Sequence, residues 1–421
     1  MEGVVMNVLI ITVGGSLEPI LSAWRSLEPE FTIFVCSEDN TITGEAGSYR
    51  YVENKNPQVV TISQTLALDP QSYTIQLVPT DDLVTAYHLI KQTLQQFHVT
   101  YPNATLHANY TGGTKSMSAA LVLAASEAEY VKVSVMAGAR NDLIKVSAGT
   151  ESLQPVEMSE VQTQRDASLM LSHWQSYSYE SAAQGLDNLL NGLANMHLRS
   201  ELTYARAISR AFQLWDRFQH QDALATLAVF EKKMTSALRA YYIDLKELTH
   251  SNKPLIGRFL QLWDLWLNAQ RRAAQQRYDD AIGRCYRLVE ASGQWILGMY
   301  DIDSSKVEME TIAPYAEDLG INTDKEGPYK LALMQIWTLV PRIHEGPLSM
   351  VIKEQKGAMQ NLVSIRNHSL CAHGFSPISQ DEWNQWNTWL EQVFIPALKD
   401  EAASYVKRFP KQLPRNYSEL T

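Results

Sequence analysis

The chain has 421 residues, of which 45% are hydrophobic and 19% charged, a composition typical of a globular protein rather than a disordered one. Its formal net charge of −10 argues against a protein that coats nucleic acid with a broad basic surface, but is compatible with a nuclease that has a small basic site. The length exceeds that of one ordinary hydrophobic core, so we expect two or three domains.

The sequence also bears on the compartment. Cys36, Cys285 and Cys371 lie far apart, which indicates no disulfide framework. The first apolar run lacks the basic flank of a signal peptide, and no stretch reaches the roughly 18 apolar residues that a membrane span requires. We therefore expect a cytoplasmic protein without a membrane partner.

The N-terminal third alternates apolar runs with helical patterns. The almost continuously apolar run Val4–Val13 predicts a strand buried on both faces of a parallel sheet, and Leu17–Ser26 predicts a helix. This alternation predicts a doubly wound α/β domain, which binds ligands beyond the carboxyl ends of its strands. Further strands are predicted at Phe31–Cys36, Tyr73–Val78, Thr105–Tyr110 and Tyr130–Met136, helices at Asp81–Phe97 and Thr114–Glu127, and a strand or hairpin arm at Leu143–Ala148.

Two predicted strand ends carry loops suited to anions. The first is Thr12-Val13-Gly14-Gly15-Ser16, where glycines let backbone N–H groups approach a ligand before a helix begins. The second is Asn109-Tyr110-Thr111-Gly112-Gly113-Thr114-Lys115-Ser116, which adds hydroxyl groups and a lysine. The second loop is not a Walker A loop, because Thr114 stands where that motif needs glycine, and the first lacks the dinucleotide-binding fingerprint. The alternative is that the glycines only make tight turns.

Together the two loops resemble the signature loops of CARF domains, the CRISPR-associated Rossmann fold. The resemblance covers roughly residues 1–150 and implies a domain that dimerises and binds a cyclic oligoadenylate, with the tetra-adenylate favoured over the hexa-adenylate. The ligand-binding residues it implies are Thr12, Gly14, Gly15, Ser16, Asn109, Thr111, Gly112, Gly113, Thr114 and Lys115.

The middle of the chain has the pattern of packed helices. Glu151–Gln164 is polar and is interpreted as a connector, followed by predicted helices at Leu202–Phe218, Gln221–Ala240 and Pro254–Gln276. Nine of the ten tryptophans lie beyond residue 150 and are interpreted as core residues. The basic cluster Arg271, Arg272 and Arg277 is followed by two aspartates and is interpreted as a solvated helix face.

The C-terminal part predicts a bundle that ends in a notable motif. A helix is expected from Tyr278 towards Leu297, with others at Glu308–Ala313, Tyr329–Val340, Ser349–Leu370 and Asp381–Leu398. Six residues separate Arg366 from His373, so a helix that continued for two turns would place both side chains on one face. Arginine binds phosphate and stabilises charge developing on it, while histidine transfers protons near neutral pH.

Arg366-Asn367…His373 on a late helix of a bundle resembles the HEPN fold, and a CARF domain joined to HEPN is characteristic of CRISPR ancillary ribonucleases. The resemblance implies a Rossmann-like CARF domain (1–150), a connector and helical domain (151–274) and a HEPN domain (275–421). It implies a homodimer that cleaves single-stranded RNA when a cyclic oligoadenylate binds as allosteric activator, with no cofactor or metal required. Arg366, Asn367 and His373 would be the catalytic residues.

Other interpretations are open. His368, Cys371 and His373 lie close enough to suggest metal binding, although zinc prefers a fourth ligand and wider spacing. The protein could be a non-enzymatic nucleotide sensor or regulator whose helical half binds a partner or DNA, although a basic recognition helix is not evident. The CARF domain could also degrade its own messenger.

Overall fold

A computed structural model of the chain describes residues 6–421 except 41–43, 129, 139, 142–144, 147–151, 192, 194, 250–253, 323–326 and 371. The chain divides into two compact units, residues 1–165 and 166–421. The predicted domain boundaries after residues 150 and 274 stay a prediction.

The first unit contains a six-stranded sheet flanked by helices, which confirms the predicted α/β fold class. The strands of this unit are β1 (Asn7–Thr12), β2 (Phe31–Ser37), β3 (Tyr73–Val78), β4 (Thr105–Asn109), β5 (Val131–Ala137), β6 (Arg140–Asn141), β7 (Lys145–Val146) and β8 (Ser152–Val156). The strand order in the sheet is β3-β2-β1-β4-β5-β8, parallel from β3 through β5 and antiparallel at β8. The helices are α1 (Glu18–Leu27), α2 (Ile62–Thr65), α3 (Leu83–Thr100) and α4 (Lys115–Ser126), with α5 (Ser159–Ser172) crossing the boundary between the units.

Strand β1 is apolar from Val8 to Ile11 because both of its faces are covered. Val8 and Ile10 join a core with residues of α3 and α4, whereas Leu9 and Ile11 join a second core with residues of α1. Side chains alternate across a strand, so a strand between two layers of helices needs apolar residues at every position.

The interpretation of residues 151–164 as an irregular connector is wrong. β8 pairs antiparallel with β5 at the edge of the sheet, and α5 begins at Ser159. The strand was missed because it is polar: an edge strand gains its backbone hydrogen bonds from one neighbour and keeps much of its side-chain surface in water. Of the predicted arm 143–148, only residues 145–146 lie in the described part, where they pair with 140–141.

The second unit is helical. As predicted, its tryptophans are core residues: Trp174, Trp215, Trp337 and Trp386 are almost fully buried. No helix in the described part of the chain has the length and apolarity needed to cross a membrane. The helices are α6 (Tyr179–Leu190), α7 (Met196–Asp216), α8 (His220–Ala228), α9 (Ser236–Leu248), α10 (Pro254–Ala274), α11 (Tyr278–Gly298), α12 (Met309–Ile312), α13 (Ala316–Leu319), α14 (Leu333–Ile343), α15 (Pro347–Asn367), α16 (Gln380–Trp389) and α17 (Ile395–Glu401).

One predicted helix, residues 221–240, is two helices. Helix α8 ends at Ala228, and α9 begins after Thr235, whose hydroxyl group accepts a hydrogen bond from the backbone N–H of Leu238 at 3.2 Å. A threonine in this position satisfies one of the free N–H groups of a new helix, so it marks a helix start inside a pattern that otherwise looks continuous.

The interpretation of Arg271 and Arg272 as a solvated face is also wrong, because both side chains are buried. Arg271 donates to Asp216 at 2.7 Å and to Asp264 at 3.3 Å, and Arg272 pairs with Asp216. Buried arginines require such partners, since an unpaired charge in the interior is costly. Arg277 alone matches the expectation, with 57% of its side chain exposed.

Candidate functional sites

The two glycine loops of the first unit lie against each other, because β1 and β4 are neighbours in the sheet and both loops follow the carboxyl ends of these strands. The Thr12 hydroxyl group donates to the carbonyl oxygen of Gly112 at 2.6 Å. A Cβ atom at Gly14 would lie 2.7 Å from the backbone nitrogen of Gly113, and one at Gly112 would overlap the carbonyl oxygen of Thr12. Glycine is therefore required at both positions for the loops to pack.

A buried network holds the base of the second loop. The Asn109 side-chain oxygen accepts from the backbone N–H of Thr111 at 3.2 Å and from its hydroxyl group at 2.5 Å. The Asn109 amide donates to Ser134 at 3.1 Å, and the Thr111 oxygen accepts from the backbone N–H of Met136 at 2.8 Å. These side chains tie the loop to β5, so their polar atoms already have partners within the protein.

Helix α4 begins where the second loop ends. The Thr114 hydroxyl group caps this helix by accepting from the N–H of Met117 at 3.3 Å and donates to the carbonyl oxygen of Thr80 at 2.6 Å. Gly113 has a φ of +82°, which glycine adopts without strain. Lys115 is the first residue of α4 and is exposed, so its ammonium group is free to reach a ligand near the positive end of the helix.

The first loop has a second basic neighbour that the sequence pattern did not reveal. Gly15 and Ser16 are exposed, and a Cβ atom at Gly15 would lie 3.8 Å from the Tyr51 hydroxyl oxygen. Arg50 donates to that hydroxyl oxygen at 3.2 Å. Backbone N–H groups, Lys115 and Arg50 thus give this end of the sheet the chemistry of an anion site. No local motif marks Arg50, because it comes from the segment between β2 and β3.

In the second unit, the expectation that Arg366 and His373 share one helix face is wrong. Helix α15 ends at Asn367, and His368 occupies its C-cap. The His368 imidazole forms a hydrogen bond with the carbonyl oxygen of Ser364 at 2.8 Å, which satisfies a carbonyl group that has no partner in the last helical turn. His373 therefore lies in a turn beyond the helix.

The backbone of His373 nevertheless lies next to the end of helix α15. The backbone N–H of His373 donates to the carbonyl oxygen of Asn367 at 3.3 Å, and Gly374 donates to Ser369 at 3.1 Å. A Cβ atom at Gly374 would overlap the His368 carbonyl group, so only glycine allows this close approach. The His373 side chain is exposed. Backbone hydrogen bonds therefore hold the backbone of His373 against that of Asn367 at the end of the helix.

Arg366 is held by an aromatic ring. Its guanidinium carbon lies 4.5 Å from the centre of the Tyr286 ring in α11, and it donates to the Asn367 side-chain oxygen at 3.2 Å. Its Nε is buried and has no hydrogen-bond partner in the described part of the chain. Burial raises the pKa of Tyr286, as does Glu290, while the Arg366 charge opposes that shift. The ring thus orients the cation without neutralising it, which leaves its charge available to a phosphate group.

The metal alternative involves Cys371, which lies outside the described residues. Among the residues that the structure describes, no group of three or more histidine, cysteine and acidic side chains is arranged to hold a metal ion.

The fold and these sites define a two-part protein. Its α/β domain presents a candidate anion site, and its helical domain presents the segment from Arg366 to His373, which we call the arginine–histidine turn. Residues 255–395, which include Tyr286, Arg366, Asn367 and His373, match the family model of the Csm6 HEPN domain. A structure of Enterococcus italicus Csm6 bound to cyclic hexa-2′-fluoro-hexa-dAMP matches with 15% sequence identity over 96% of each chain and a TM-score of 0.53. These two matches show that residues 255–395 are similar to the Csm6 HEPN domain and that the chain has the fold of that Csm6 structure, which confirms the predicted fold class.

A structure of Can2 from Sulfobacillus thermosulfidooxidans in complex with cyclic tetra-adenylate also matches, with 12% identity over 55% of this chain and 70% of that one. Its TM-score of 0.22 is too low to support a structural argument. No curated protein sequence matches this chain.

Proposed function

We propose that the protein is an endoribonuclease of type III CRISPR defence that cleaves single-stranded RNA without a metal ion and is activated by a cyclic oligoadenylate. One observation carries this proposal: the backbone N–H of His373 donates to the carbonyl oxygen of Asn367, the neighbour and hydrogen-bond partner of Arg366, inside the region that matches the Csm6 HEPN domain.

The proposed reaction uses the 2′-hydroxyl group of the RNA as nucleophile. The 2′ oxygen attacks the adjacent phosphorus and gives up its proton, the bond from phosphorus to the 5′ oxygen breaks, and the departing oxygen takes up a proton. The products are a 2′,3′-cyclic phosphate end and a 5′-hydroxyl end. No metal ion is needed to generate a nucleophile, because the substrate brings its own, and DNA lacks it.

Each residue of the turn has a distinct role in this proposal. His373 is exposed and assists proton transfer, which the imidazole group does well near neutral pH. Arg366 stabilises the charge that develops on the phosphoryl oxygens, and Asn367 orients Arg366 through the 3.2 Å hydrogen bond. Two copies of the chain form a homodimer in which the two turns face each other across the RNA. Single-stranded RNA fits such a groove because its unstacked bases can spread apart.

The activator binds, in this proposal, where the two glycine loops meet. The exposed residues Gly15, Ser16 and Lys115 contact its phosphate groups, while Thr12, Asn109, Thr111 and Thr114 shape the loops through internal hydrogen bonds. Activator binding favours the dimer arrangement that is competent for cleavage. A coupling free energy of about 1–3 kcal/mol between the two sites is typical of such control.

The test is cleavage of a labelled single-stranded RNA with and without cyclic oligoadenylates of three to six units, in buffer containing a metal chelator. We expect one ring size to activate cleavage. The resemblance of the glycine loops to CARF domains favours the tetra-adenylate, and the six-unit ring bound to Enterococcus italicus Csm6 makes the hexa-adenylate an essential comparison. Products should carry a 2′,3′-cyclic phosphate, and the DNA of the same sequence should stay intact. Cleavage of RNA and DNA alike, or cleavage abolished by the chelator, would disprove the proposed chemistry.

A further inference from the structure

A cavity of about 510 Å³ in the second unit has walls that are rich in arginine, and none of its lining residues belongs to the segment 366–373. It is formed by the first turn of α6, the end of α7, the end of α10 and the start of α11. Four arginines line it, against two carboxylates, Glu180 and Asp216. The arginines are Arg217, Arg272, Arg277 and Arg284.

The ion pairs around this arginine cavity leave positive charge in excess. Glu180 pairs with Arg217 at 2.6 Å. Asp280, by contrast, pairs with both Arg277 and Arg284, so one carboxylate serves two guanidinium groups.

Asp216 is shared as well. It pairs with Arg272 and, at 2.7 Å, with Arg271, although Arg271 has Asp264 as a second partner at 3.3 Å. The described carboxylates therefore neutralise the arginines of the wall only in part, and an anion in the cavity would complete the balance.

Three buried polar atoms of residues that line the cavity lack a hydrogen-bond partner in the described part of the chain. Two are donors, Nε of Arg272 and Nε2 of Gln213, in residues that are 92% and 96% buried, and one is an acceptor, Oε1 of Gln275. Buried N–H groups in folded proteins almost always have a hydrogen-bond partner, so the two donors indicate an acceptor that the protein itself does not supply.

Two further features of the cavity bear on anion binding. Tyr179–Ser181, at the N-terminus of α6, line the cavity, and the residue before that helix, Ser178, provides no side-chain cap. The N–H groups at a helix start have no partner within the helix and favour anions, and the first turn of α6 already contains the Glu180 carboxylate. Burial lowers the pKa of Arg284 below its ordinary value, the Asp280 carboxylate opposes that shift, and the nearby Arg272 charge adds to it.

From the cavity, its excess of arginine and its unpaired donors, we propose that the second unit has a binding site for the phosphate group of a ligand no larger than a mononucleotide. Guanidinium groups bind phosphate oxygens through paired N–H donors, and a cavity of this volume is within the range that small ligands occupy. This site is separate from the glycine loops and from the Arg366–His373 turn.

The test is calorimetric titration of the full-length protein with adenosine 5′-monophosphate, inorganic phosphate and, as a control, adenosine. We expect the two phosphate compounds to bind and adenosine not to bind. Tighter binding of the nucleotide than of phosphate would identify a nucleotide as the ligand, and equal binding would identify free phosphate. Absence of binding of both compounds up to about 10 mM, an affinity too weak for a specific site, would overturn the proposal.

Substitutions of basic residues test whether the phosphate compounds bind in this cavity. Arg217 and Arg277 are half exposed and lie at the cavity rim, so Arg217→Gln/Arg277→Gln should fold and bind at least about tenfold more weakly. Arg206→Gln is the matched control, since Arg206 is a partly exposed arginine in an ion pair that does not line the cavity. Lys115→Ala tests the glycine loops. Equal binding by the double variant and Arg206→Gln, or loss of binding in Lys115→Ala, would overturn the assignment.

Discussion

In the proposed function, the glycine loops and the arginine–histidine turn both contact phosphate groups, but they are built in opposite ways. In the loops, the polar side chains are consumed by internal hydrogen bonds, and exposed backbone and Lys115 are left for a ligand. In the turn, backbone hydrogen bonds hold the chain while the His373 side chain is exposed and Arg366 Nε has no described partner. The first arrangement suits stable recognition, whereas the second leaves reactive groups free for catalysis.

The strongest test of the turn is His373→Ala. If His373 transfers protons, its loss should reduce activated RNA cleavage by about 10²–10⁴-fold, with no change in thermal stability because the side chain is exposed. The matched control is His197→Ala, which removes another exposed histidine from α7. Cleavage that is equally fast in both variants would eliminate the catalytic role of His373.

Gly112→Ala tests whether close packing of the loops is required. The new methyl group would overlap the Thr12 carbonyl oxygen, so we expect a loss of about 1–3 kcal/mol in stability and a correspondingly weaker response to the activator. Gly15→Ala is the control for stability, since its nearest neighbour would be the Tyr51 hydroxyl oxygen at 3.8 Å. Thermal unfolding of both variants without ligand measures the difference. Equal melting temperatures would show that the loops do not need to touch.

Lys115→Ala separates recognition from loop shape. Because Lys115 is exposed at the start of α4, its removal should leave the apo protein as stable as before and weaken binding of the cyclic oligoadenylate by about tenfold. Lys132→Ala, an exposed lysine on β5, is the control. Titration with the cyclic oligoadenylate measures the binding constants, and an unchanged affinity in Lys115→Ala would remove this residue from the site.

Thr111→Ala should instead lower stability, since the Thr111 hydroxyl group joins Asn109 to Met136.

The smallest expected effect concerns Tyr286, which positions Arg366. A cation stacked on an aromatic ring gains about 0.5–2 kcal/mol, so Tyr286→Leu should slow activated cleavage by roughly 2–30-fold. Tyr286→Phe keeps the ring and should restore most of the rate. If the phenylalanine variant is as slow as the leucine variant, the hydroxyl group matters rather than the stacking.

The sequence predicted the parts of these sites that are local. The strand β1 was evident because both of its faces are apolar, and the loops were evident because glycines follow strand ends. The end of α15 at Asn367 was missed, since a seven-residue spacing is equally compatible with a helix and with a turn that folds back. Arg50 and Tyr286 were missed as site residues because their partners are distant in sequence.

Buried charge was the least predictable feature. Arg271 and Arg272 precede two aspartates and look like an exposed pair, but both pair with Asp216 in α7, and Arg271 also pairs with Asp264, two turns earlier on the same face of α10. Burial of a cation depends on carboxylates that only the tertiary fold brings together, so composition and periodicity do not reveal it.

The central claim is that ligand binding at the glycine loops controls cleavage at the arginine–histidine turn. The most direct measurement is the rate of cleavage of a single-stranded RNA by the wild-type protein and by Lys115→Ala over a range of cyclic oligoadenylate concentrations. We predict little cleavage without the activator, strong activation of the wild type, and a shift of the Lys115→Ala curve to about tenfold higher concentration with the same maximal rate. Full cleavage without any activator, or identical curves for the two proteins, would contradict it.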